Sequence, residues 1–162
     1  MASLMIEPEK TNSHRSTILL VDDENAVHAM VRHALSLAFP DGRYSVISAL
    51  NGAEGVRVMA TASPDIVITD AMMPGLSGFD LIREIKSRPE TSDIPIILVT
   101  SLESENGGVM DASGKADFCI SKPFSLDEVA ECVERAERLI QHRHTVSRIA
   151  ARLYRHSVLN VA

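Results

Sequence analysis

Three carboxylates stand directly behind short apolar segments of the chain, where they could do chemistry together. Asp22 and Asp23 follow the apolar run 17–21, and Asp70 follows the run 66–69. If these runs are neighbouring strands of a parallel sheet, their carboxyl ends share one edge and the carboxylates converge there. Close carboxylates repel one another, and a hard divalent cation with oxygen ligands is their natural counter-charge. The pattern therefore predicts a Mg²⁺ site at this edge.

Two more polar side chains end later apolar runs and should point into the same crevice. Thr100 ends the run 96–100, and Lys122 closely follows the run 118–120. A lysine is a mobile point charge suited to a phosphoryl oxygen, and a threonine adds a hydroxyl donor. A metal site, a carboxylate nucleophile, a cation and a hydroxyl are what is needed to take up a phosphoryl group on an aspartate. Asp70 is the predicted nucleophile because it is central, with Asp22 and Asp23 at its side.

The elements that must position these residues alternate between strands and helices. Short continuous apolar runs are typical of strands buried in a parallel sheet; they lie at 17–21, 44–49, 66–69, 96–100 and 118–120. Apolar spacings of three and four predict helices at 24–39, 52–62 and 77–87. This alternation predicts an α/β fold with a doubly wound five-stranded parallel sheet of order 2-1-3-4-5. Between Thr100 and Ala116 the adjacent glycines Gly107 and Gly108 predict a short, distorted or mobile helix.

The last helix is predicted to extend beyond the domain. It opens with a capping box from Ser125 to Glu128. A first apolar stripe should pack on the sheet, and it consists of Leu126, Val129, Val133, Ala136 and Ile140. A second stripe on another side of the helix should reach a different partner, and it consists of Leu139, Val146, Ile149 and Leu153. A helix continuous to Ser157 would run about 48 Å at 1.5 Å per residue.

Composition and charge exclude several classes of protein. The chain has 162 residues, 45% of them apolar and 23% charged, which fits one domain with an appendage and excludes wholesale disorder. No apolar run could span a bilayer and the N-terminus lacks a secretion signal, so we expect a cytoplasmic protein without membrane contact. Five arginines and no acidic residue follow from Arg138 onward, which leaves 11 basic and 22 acidic residues before it. An acidic body argues against nucleic-acid binding by that body.

At this point the sequence resembles the receiver domain of two-component response regulators, across about residues 17–140. The matching motifs come in family order and at near-family spacing: LVDDE at 20–24, NGxE at 51–54, PDIVITDAMMPGLSG at 64–78, PIILVTS at 95–101 and SKPF at 121–124. The resemblance implies a flavodoxin-like fold. It divides the chain into a flexible arm at 1–16, a receiver domain at 17–140 and a helical extension or linker at 141–162.

The resemblance also implies roles for the acidic residues. Asp70 looks like the phosphoacceptor, modified by a histidine kinase or a phosphotransfer protein. Asp23, Asp70 and the backbone carbonyl of Met72 look like Mg²⁺ ligands, with Asp22 helping through water. These assignments predict a signalling module that promotes its own phosphorylation and hydrolysis, rather than a turnover enzyme.

The resemblance is incomplete at the residues that pass the signal on. Lys122 and Thr100 look like the pair that senses the phosphoryl group, and the Lys122–Pro123 bond should be cis. The family usually has an aromatic residue three positions before the lysine, whereas this chain has Cys119 there. Phe118 lies one residue earlier, and a one-residue offset in a strand reverses the side that a residue faces. We therefore predict an order–disorder response in residues 103–115 in place of an aromatic switch.

Alternative functions stay open at this point. A Mg²⁺-dependent phosphohydrolase with an aspartyl-phosphate intermediate is one, although the acid/base position two residues after its nucleophile holds the apolar Met72. The basic tail has three interpretations: a linker to an absent output domain, a helix that forms a homodimer, or a regulator's contact with nucleic acid. Leu139, Val146 and Leu153 occupy heptad positions that suit the homodimer.

Overall fold

A computed structural model of the chain describes residues 15–101 and 115–159. The expected helix between Thr100 and Ala116, with the order–disorder response predicted for it, lies outside the described residues. So do all but the last two residues of the predicted arm. Within the described residues, no helix combines the length and the apolar character needed to cross a membrane.

The sheet has five parallel strands in the order β2-β1-β3-β4-β5, as predicted. The strands are β1 (Ser16–Val21), β2 (Tyr44–Ala49), β3 (Ile66–Asp70), β4 (Ile96–Thr100) and β5 (Phe118–Ser121). β1 lies between β2 and β3, so the strand order reverses beside it. The carboxyl ends of β1 and β3 therefore border the crevice in which doubly wound sheets bind ligands.

Four described helices flank the sheet: α1 (Asn25–Ala38), α2 (Gly52–Ala62), α3 (Gly78–Ser87) and α4 (Leu126–Leu159). Each begins close to its predicted start, and before α2, α3 and α4 a side chain satisfies one of the first free amides of the helix. Ser77 and Asp80 cap α3 reciprocally, and α3 therefore starts one residue after the predicted position. The predicted capping box of α4 is confirmed: the Ser125 amide donates to Glu128 Oε2 at 2.7 Å.

Two apolar clusters sandwich the sheet, because successive strand residues point to opposite faces. Leu20 faces the cluster formed with α1 and α4, whereas Leu19 and Val21 face the cluster formed with α3. β1, β3 and β4 are buried on both faces, which explains why their sequences read as continuous apolar runs. This packing holds the strand ends at fixed positions along one edge of the sheet.

The first half of α4 packs on the sheet as the first apolar stripe predicted. Val133 and Ala136 are fully buried, and Ile140 packs against the same cluster. Arg143 then binds the base of the sheet, where its Nη2 lies 2.9 Å from Asp117 Oδ1. The helix continues without a break to Leu159, two residues beyond the predicted end.

Beyond Arg143 the described side chains of α4 are exposed. Val146 and Ile149 of the second stripe are 51% and 54% exposed. The prediction that this stripe reaches another partner stays a prediction.

Candidate functional site

The predicted acidic residues meet at the carboxyl edge of the sheet. Asp22, Asp23 and Asp70 each offer a carboxylate oxygen, and these oxygens all lie within 4.8 Å of one another. Asp22 and Asp70 are buried, whereas Asp23 is exposed. We call this trio with Lys122 the acidic rim.

The backbone around Asp22 is fixed from several sides. Its amide donates to the Ala49 carbonyl at 3.2 Å, which extends the β1–β2 ladder by one bond. Its Oδ1 accepts from the Glu24 amide at 2.8 Å. Burial, the largest influence, raises the pKa of Asp22 above its usual range, against the lowering effects of the Glu24 amide and of Lys122.

Asp70 ends β3 at a point where the chain approaches itself closely. The Gly78 amide donates to the Ala71 carbonyl at 3.0 Å, so the start of α3 lies against the end of β3. A Cβ at Gly78 would lie 1.9 Å from the Asp70 carbonyl oxygen, a distance that no side chain can accept. Glycine at this position therefore allows α3 to support the backbone of Asp70.

Lys122 reaches the rim from the end of β5. Its Nζ lies 3.3 Å from Asp22 Oδ2, 3.4 Å from Asp70 Oδ2 and 3.2 Å from Glu24 Oε1. The Lys122–Pro123 bond is cis, as the resemblance implied. Partial burial is the largest single influence and lowers the pKa of Lys122, but the attraction of Asp22 and Asp70 with the hydrogen bonds to Glu24 and Asp22 outweighs it, so the pKa is raised.

Thr100 ends β4 beside β3 and is buried, which agrees with its predicted place at the same edge. The Lys122 amide donates to the Thr100 carbonyl at 2.7 Å, so the two residues are neighbours along the backbone ladder. Met72 follows Asp70 by two residues, and its side chain is 59% exposed. Its carbonyl remains a predicted ligand.

The structure places Phe118 away from the position of the missing aromatic residue. Cys119 lies opposite Leu98 in the register of β5 and β4, so it faces the same side of the sheet as Leu98. Leu98 belongs to the cluster on the α3 side. Phe118 instead packs against the cluster on the α1 and α4 side, with the Arg135 guanidinium carbon 4.9 Å from its ring centroid. Phe118 therefore faces away from the side of Cys119, as the one-residue offset predicted.

The donor set suits a hard divalent cation. Asp22, Asp23 and Asp70 carry three negative charges in close proximity, and Lys122 offsets only one of them. Carboxylate oxygens are the ligands that Mg²⁺ prefers, and the exposure of Asp23 leaves room for the waters that Mg²⁺ keeps. The acidic cluster can therefore hold such a metal.

The sequence reasoning did not single out two residues that contact the site. Glu24 binds Lys122, although it is 61% exposed. His28 is buried one turn along α1 and contacts the backbone of Asp22. A third acidic residue after Asp22 and Asp23 could have drawn attention to Glu24, whereas the sequence gives no comparable signal for the contact of His28.

A partly apolar groove of about 400 Å³ opens beside Lys122. It lies between α1 and the segment that joins β5 to α4, and its lining residues are Glu24, Val27, Met30, Lys122, Pro123 and Phe124. The groove is open to solvent, and the lysine forms part of its wall.

Comparisons with known proteins agree with this fold. The family described as "Response regulator receiver domain" matches residues 18–134. This match confirms the resemblance drawn from the motifs. A crystal structure of the signal receiver domain of a signal transduction histidine kinase from Syntrophus aciditrophicus superposes with a TM-score of 0.65 at 29% identity, over 78% of this chain and 91% of that one.

Curated relatives are longer than this chain. It is 37% identical over 135 residues to the "Probable transcriptional regulator ycf27" of Cyanidium caldarium, which covers 83% of this chain and 51% of the relative. It is 37% identical over 113 residues to the "Phosphate regulon transcriptional regulatory protein PhoB" of Pseudomonas aeruginosa, which covers 70% of this chain and 48% of the relative. The chain thus spans about half of the length of the curated relatives that it matches.

Proposed function

Because this chain belongs to the family of response regulator receiver domains, we propose that it is a phosphoacceptor of a two-component relay and that Asp70 is the acceptor. One observation carries the proposal. Lys122 Nζ lies between Asp22 and Asp70, at 3.3 Å and 3.4 Å from their carboxylates, beside an acidic cluster that can hold a divalent cation. This arrangement supports the proposal, because it brings the proposed nucleophile, the positive charge of Lys122 and a cluster that can hold a metal to one edge of the sheet.

The proposed step is a transfer of one phosphoryl group to a carboxylate oxygen of Asp70. That oxygen forms a bond to phosphorus while the bond between phosphorus and the donor nitrogen of a phosphohistidine breaks, and the electron pair returns to the imidazole nitrogen. Lys122 then stabilises a phosphoryl oxygen, and the Thr100 hydroxyl donates to another. Mg²⁺, when bound to Asp23, Asp70 and the Met72 carbonyl, supplies further stabilisation of charge on the phosphoryl oxygens.

The proposed donor is a histidine kinase or a phosphotransfer protein. The groove beside Lys122 supports a macromolecular donor, because its apolar residues Val27, Met30 and Phe124 offer contact area next to the acceptor. Small donors could also reach Asp70, but they would not use these residues.

The test is phosphorylation with mapping of the modified residue. We expect the full chain, incubated with Mg²⁺ and acetyl phosphate, to gain one hydroxylamine-labile phosphoryl group on Asp70. Asp70→Asn should abolish it. Asp65→Asn is the matched control, because Asp65 lies just before β3, at the end of the strand opposite to Asp70. Its Oδ2 accepts a hydrogen bond from the Thr17 amide at 2.7 Å. This variant should still be modified.

Two outcomes would contradict the proposal. Modification of another residue would remove Asp70 from its role. Rapid release of phosphate with no trapped phosphoryl group would favour the Mg²⁺-dependent phosphohydrolase instead. Family membership and the apolar Met72 at the acid/base position favour the signalling module.

The output of the module is also a proposal. We keep the boundaries 17–140 for the receiver domain and 141–162 for the extension, and a cytoplasmic location. Phosphorylation adds about −1.5 to −2 charge at Asp70. Without an aromatic residue at Cys119, we propose that the added charge acts through Thr100 on residues 103–115. Equal amide exchange in those residues with and without a phosphoryl mimic would contradict this.

The exposed tail leaves three proposals: a linker, a homodimer through α4, and a nucleic-acid contact. The curated relatives are transcriptional regulators by name, and residues 142–162 of this acidic chain carry four arginines and no acidic residue. Measuring mass against concentration, with and without residues 142–162, tests the homodimer. Loss of a dimer on truncation supports it, and a monomer in both cases contradicts it.

A further inference from the structure

A buried histidine lies behind the acidic rim and holds part of its backbone. His28 is 6% exposed on α1, and its Nε2 lies 2.8 Å from the carbonyl oxygen of Asp22. Its Nδ1 lies 2.9 Å from the Ser48 hydroxyl on β2. The imidazole therefore joins the end of β1 to the edge strand β2.

The chemistry of the partners decides the direction of these hydrogen bonds. A carbonyl oxygen only accepts, so Nε2 of His28 carries the hydrogen and donates a hydrogen bond to the Asp22 carbonyl oxygen. In the neutral ring Nδ1 accepts from the Ser48 hydroxyl. Arg32 Nη2 donates to the same hydroxyl oxygen at 2.9 Å and to the Val46 carbonyl at 2.9 Å. A chain of donors thus runs from Arg32 through Ser48 and His28 to the Asp22 carbonyl.

The atom at the end of this chain belongs to the peptide group between Asp22 and Asp23. The amide on the other side of Asp22 is already held by Ala49 at 3.2 Å. These two contacts hold the backbone on both sides of Asp22, and the Asp22–Asp23 peptide group links the Cα atoms that carry the two carboxylates. A change of its tilt would alter the distances among the three carboxylates that now lie within 4.8 Å.

We infer that His28 is a positioning residue for the acidic rim: through the Asp22 carbonyl it sets the geometry of Asp22 and Asp23, and with it the affinity of the rim for a divalent cation. This inference rests on the proposed function, because that function gives the rim its metal. A residue that orients a ligand by a hydrogen bond typically contributes about 10–100-fold to metal affinity.

Three variants separate positioning from simple packing. His28→Leu fills the same space and removes both hydrogen bonds. His28→Gln keeps a donor near the position of Nε2, together with an acceptor for Ser48. Val31→Ala is the matched control, because Val31 is buried on the same helix and packs into the cluster without touching the rim.

The measurement is Mn²⁺ binding to the unphosphorylated full chain, followed by electron paramagnetic resonance at a temperature at which every variant is folded. We expect His28→Leu to weaken Mn²⁺ binding about tenfold and His28→Gln to stay within about threefold of the parent. Val31→Ala should bind as the parent does, although it is less stable. In phosphorylation assays, His28→Leu should raise the half-saturating Mg²⁺ concentration by a similar factor of about tenfold.

Parent-like Mn²⁺ affinity in folded His28→Leu would overturn the inference, and so would an equal loss in Val31→Ala. If His28→Leu does not fold, His28→Asn replaces it, because its amide is polar but too short to reach the Asp22 carbonyl; the same loss is expected. A parent chain that binds no Mn²⁺ would refute the proposed metal site and this inference together. Binding that Asp23→Asn abolishes, but that changes at His28 leave intact, would refute this inference alone.

Discussion

Replacing Lys122 by methionine should make the protein less stable without Mg²⁺ and should tighten its binding of Mg²⁺. The lysine Nζ lies 3.3 Å from Asp22 Oδ2 and 3.4 Å from Asp70 Oδ2, and both carboxylates are buried. The ammonium therefore offsets the repulsion between them. Methionine keeps the apolar stem and removes the charge.

The magnitude follows from the distances and the exposure of the pair. Two unit charges about 4 Å apart attract by about 4 kcal/mol at an effective dielectric constant of about 20. Desolvation offsets part of this attraction, although the Lys122 side chain remains 20% exposed. Since breaking a fully buried pair costs about 3–5 kcal/mol, we expect this half-open rim to lose about 2 kcal/mol in free energy of unfolding.

A metal ion can replace the lost positive charge. We expect about tenfold tighter Mg²⁺ binding by Lys122→Met, which corresponds to about 1.4 kcal/mol. Most of the loss in stability should therefore disappear at saturating Mg²⁺. The phosphoryl group would still lose the oxygen contact of Lys122, so tighter metal binding should not restore transfer.

Urea unfolding with a chelator and with saturating Mg²⁺ measures both effects. Lys86→Met is the matched control, because Lys86 Nζ lies 3.0 Å from Asp117 Oδ2 at the opposite end of the sheet and is similarly enclosed. Its loss of stability should be the same in both conditions. If Lys122→Met also lost the same free energy in both conditions, the reasoning about shared counter-charge would be wrong.

Three further predictions concern the rim and the starts of helices. Glu24→Gln removes an exposed partner of the rim lysine, so we expect less than about 1 kcal/mol of change in the free energy of unfolding and about twofold faster initial phosphoryl uptake from acetyl phosphate. Gly78→Ala places a Cβ 1.9 Å from the Asp70 carbonyl oxygen, so we expect a loss of about 1–3 kcal/mol in urea unfolding and slower phosphoryl uptake. The Ser125 amide, and then its hydroxyl, hold the pKa of Glu128 below its ordinary value of 4.5. The ionised carboxylate therefore stabilises the fold fully above that value and loses its effect as the pH falls through the lower folded-state pKa, so the destabilisation by Glu128→Ala in thermal unfolding should vanish in acid.

Each of these predictions has a control. Gly75→Asn should be tolerated, because Gly75 has a φ of +80° and asparagine accepts this conformation. Apart from its two chain neighbours, no described residue has an atom within 4 Å of the position that its Cβ would take. Slower uptake by Glu24→Gln would contradict the view that Glu24 competes for the lysine. Glu131→Ala, on an exposed face of α4, is the comparison variant for Glu128→Ala. A Glu128→Ala penalty that is equal at every pH would refute the capping argument.

Much of the fold could be predicted because its local signals agree with its packing. The runs at β2 and β4 coincide with the observed strands, since buried parallel strands need apolar residues on both faces. Because the carboxyl ends of parallel strands meet at one edge of the sheet, the sequence alone could predict that Asp22, Asp70 and Lys122 lie close together. Chain order and strand order alone then determine which ends are neighbours.

The finer contacts could not be predicted, because they depend on side-chain reach across elements. Nothing in the spacing of His28 and Ser48 indicates that an imidazole joins them behind the rim. In the sequence, Arg143 is one of five arginines from Arg138 onward and nothing distinguishes it from the others. In the structure, the helix brings it to the base of the sheet, where it binds Asp117 at 2.9 Å. These contacts follow from the angle at which a helix crosses the sheet, and the sequence pattern does not specify that angle.

Arg143 attaches α4 to the base of the sheet near the middle of the helix. The helix is 34 residues long, and at about 1.5 Å per residue it has an arm of about 26 Å before Arg143 and one of about 24 Å after it. The first part of α4 starts four residues after Lys122, close to the rim, whereas Arg143 lies at the far end of the sheet. If the helix tilted as a rigid body about the contact of Arg143 with Asp117, its two ends would move by nearly equal amounts in opposite directions. A displacement of the helix start near Lys122 would therefore produce a displacement of about the same size at Leu159, in the opposite direction. A partner that binds near Leu159 would have to respond to a movement of that size, because two parts of similar length do not amplify it.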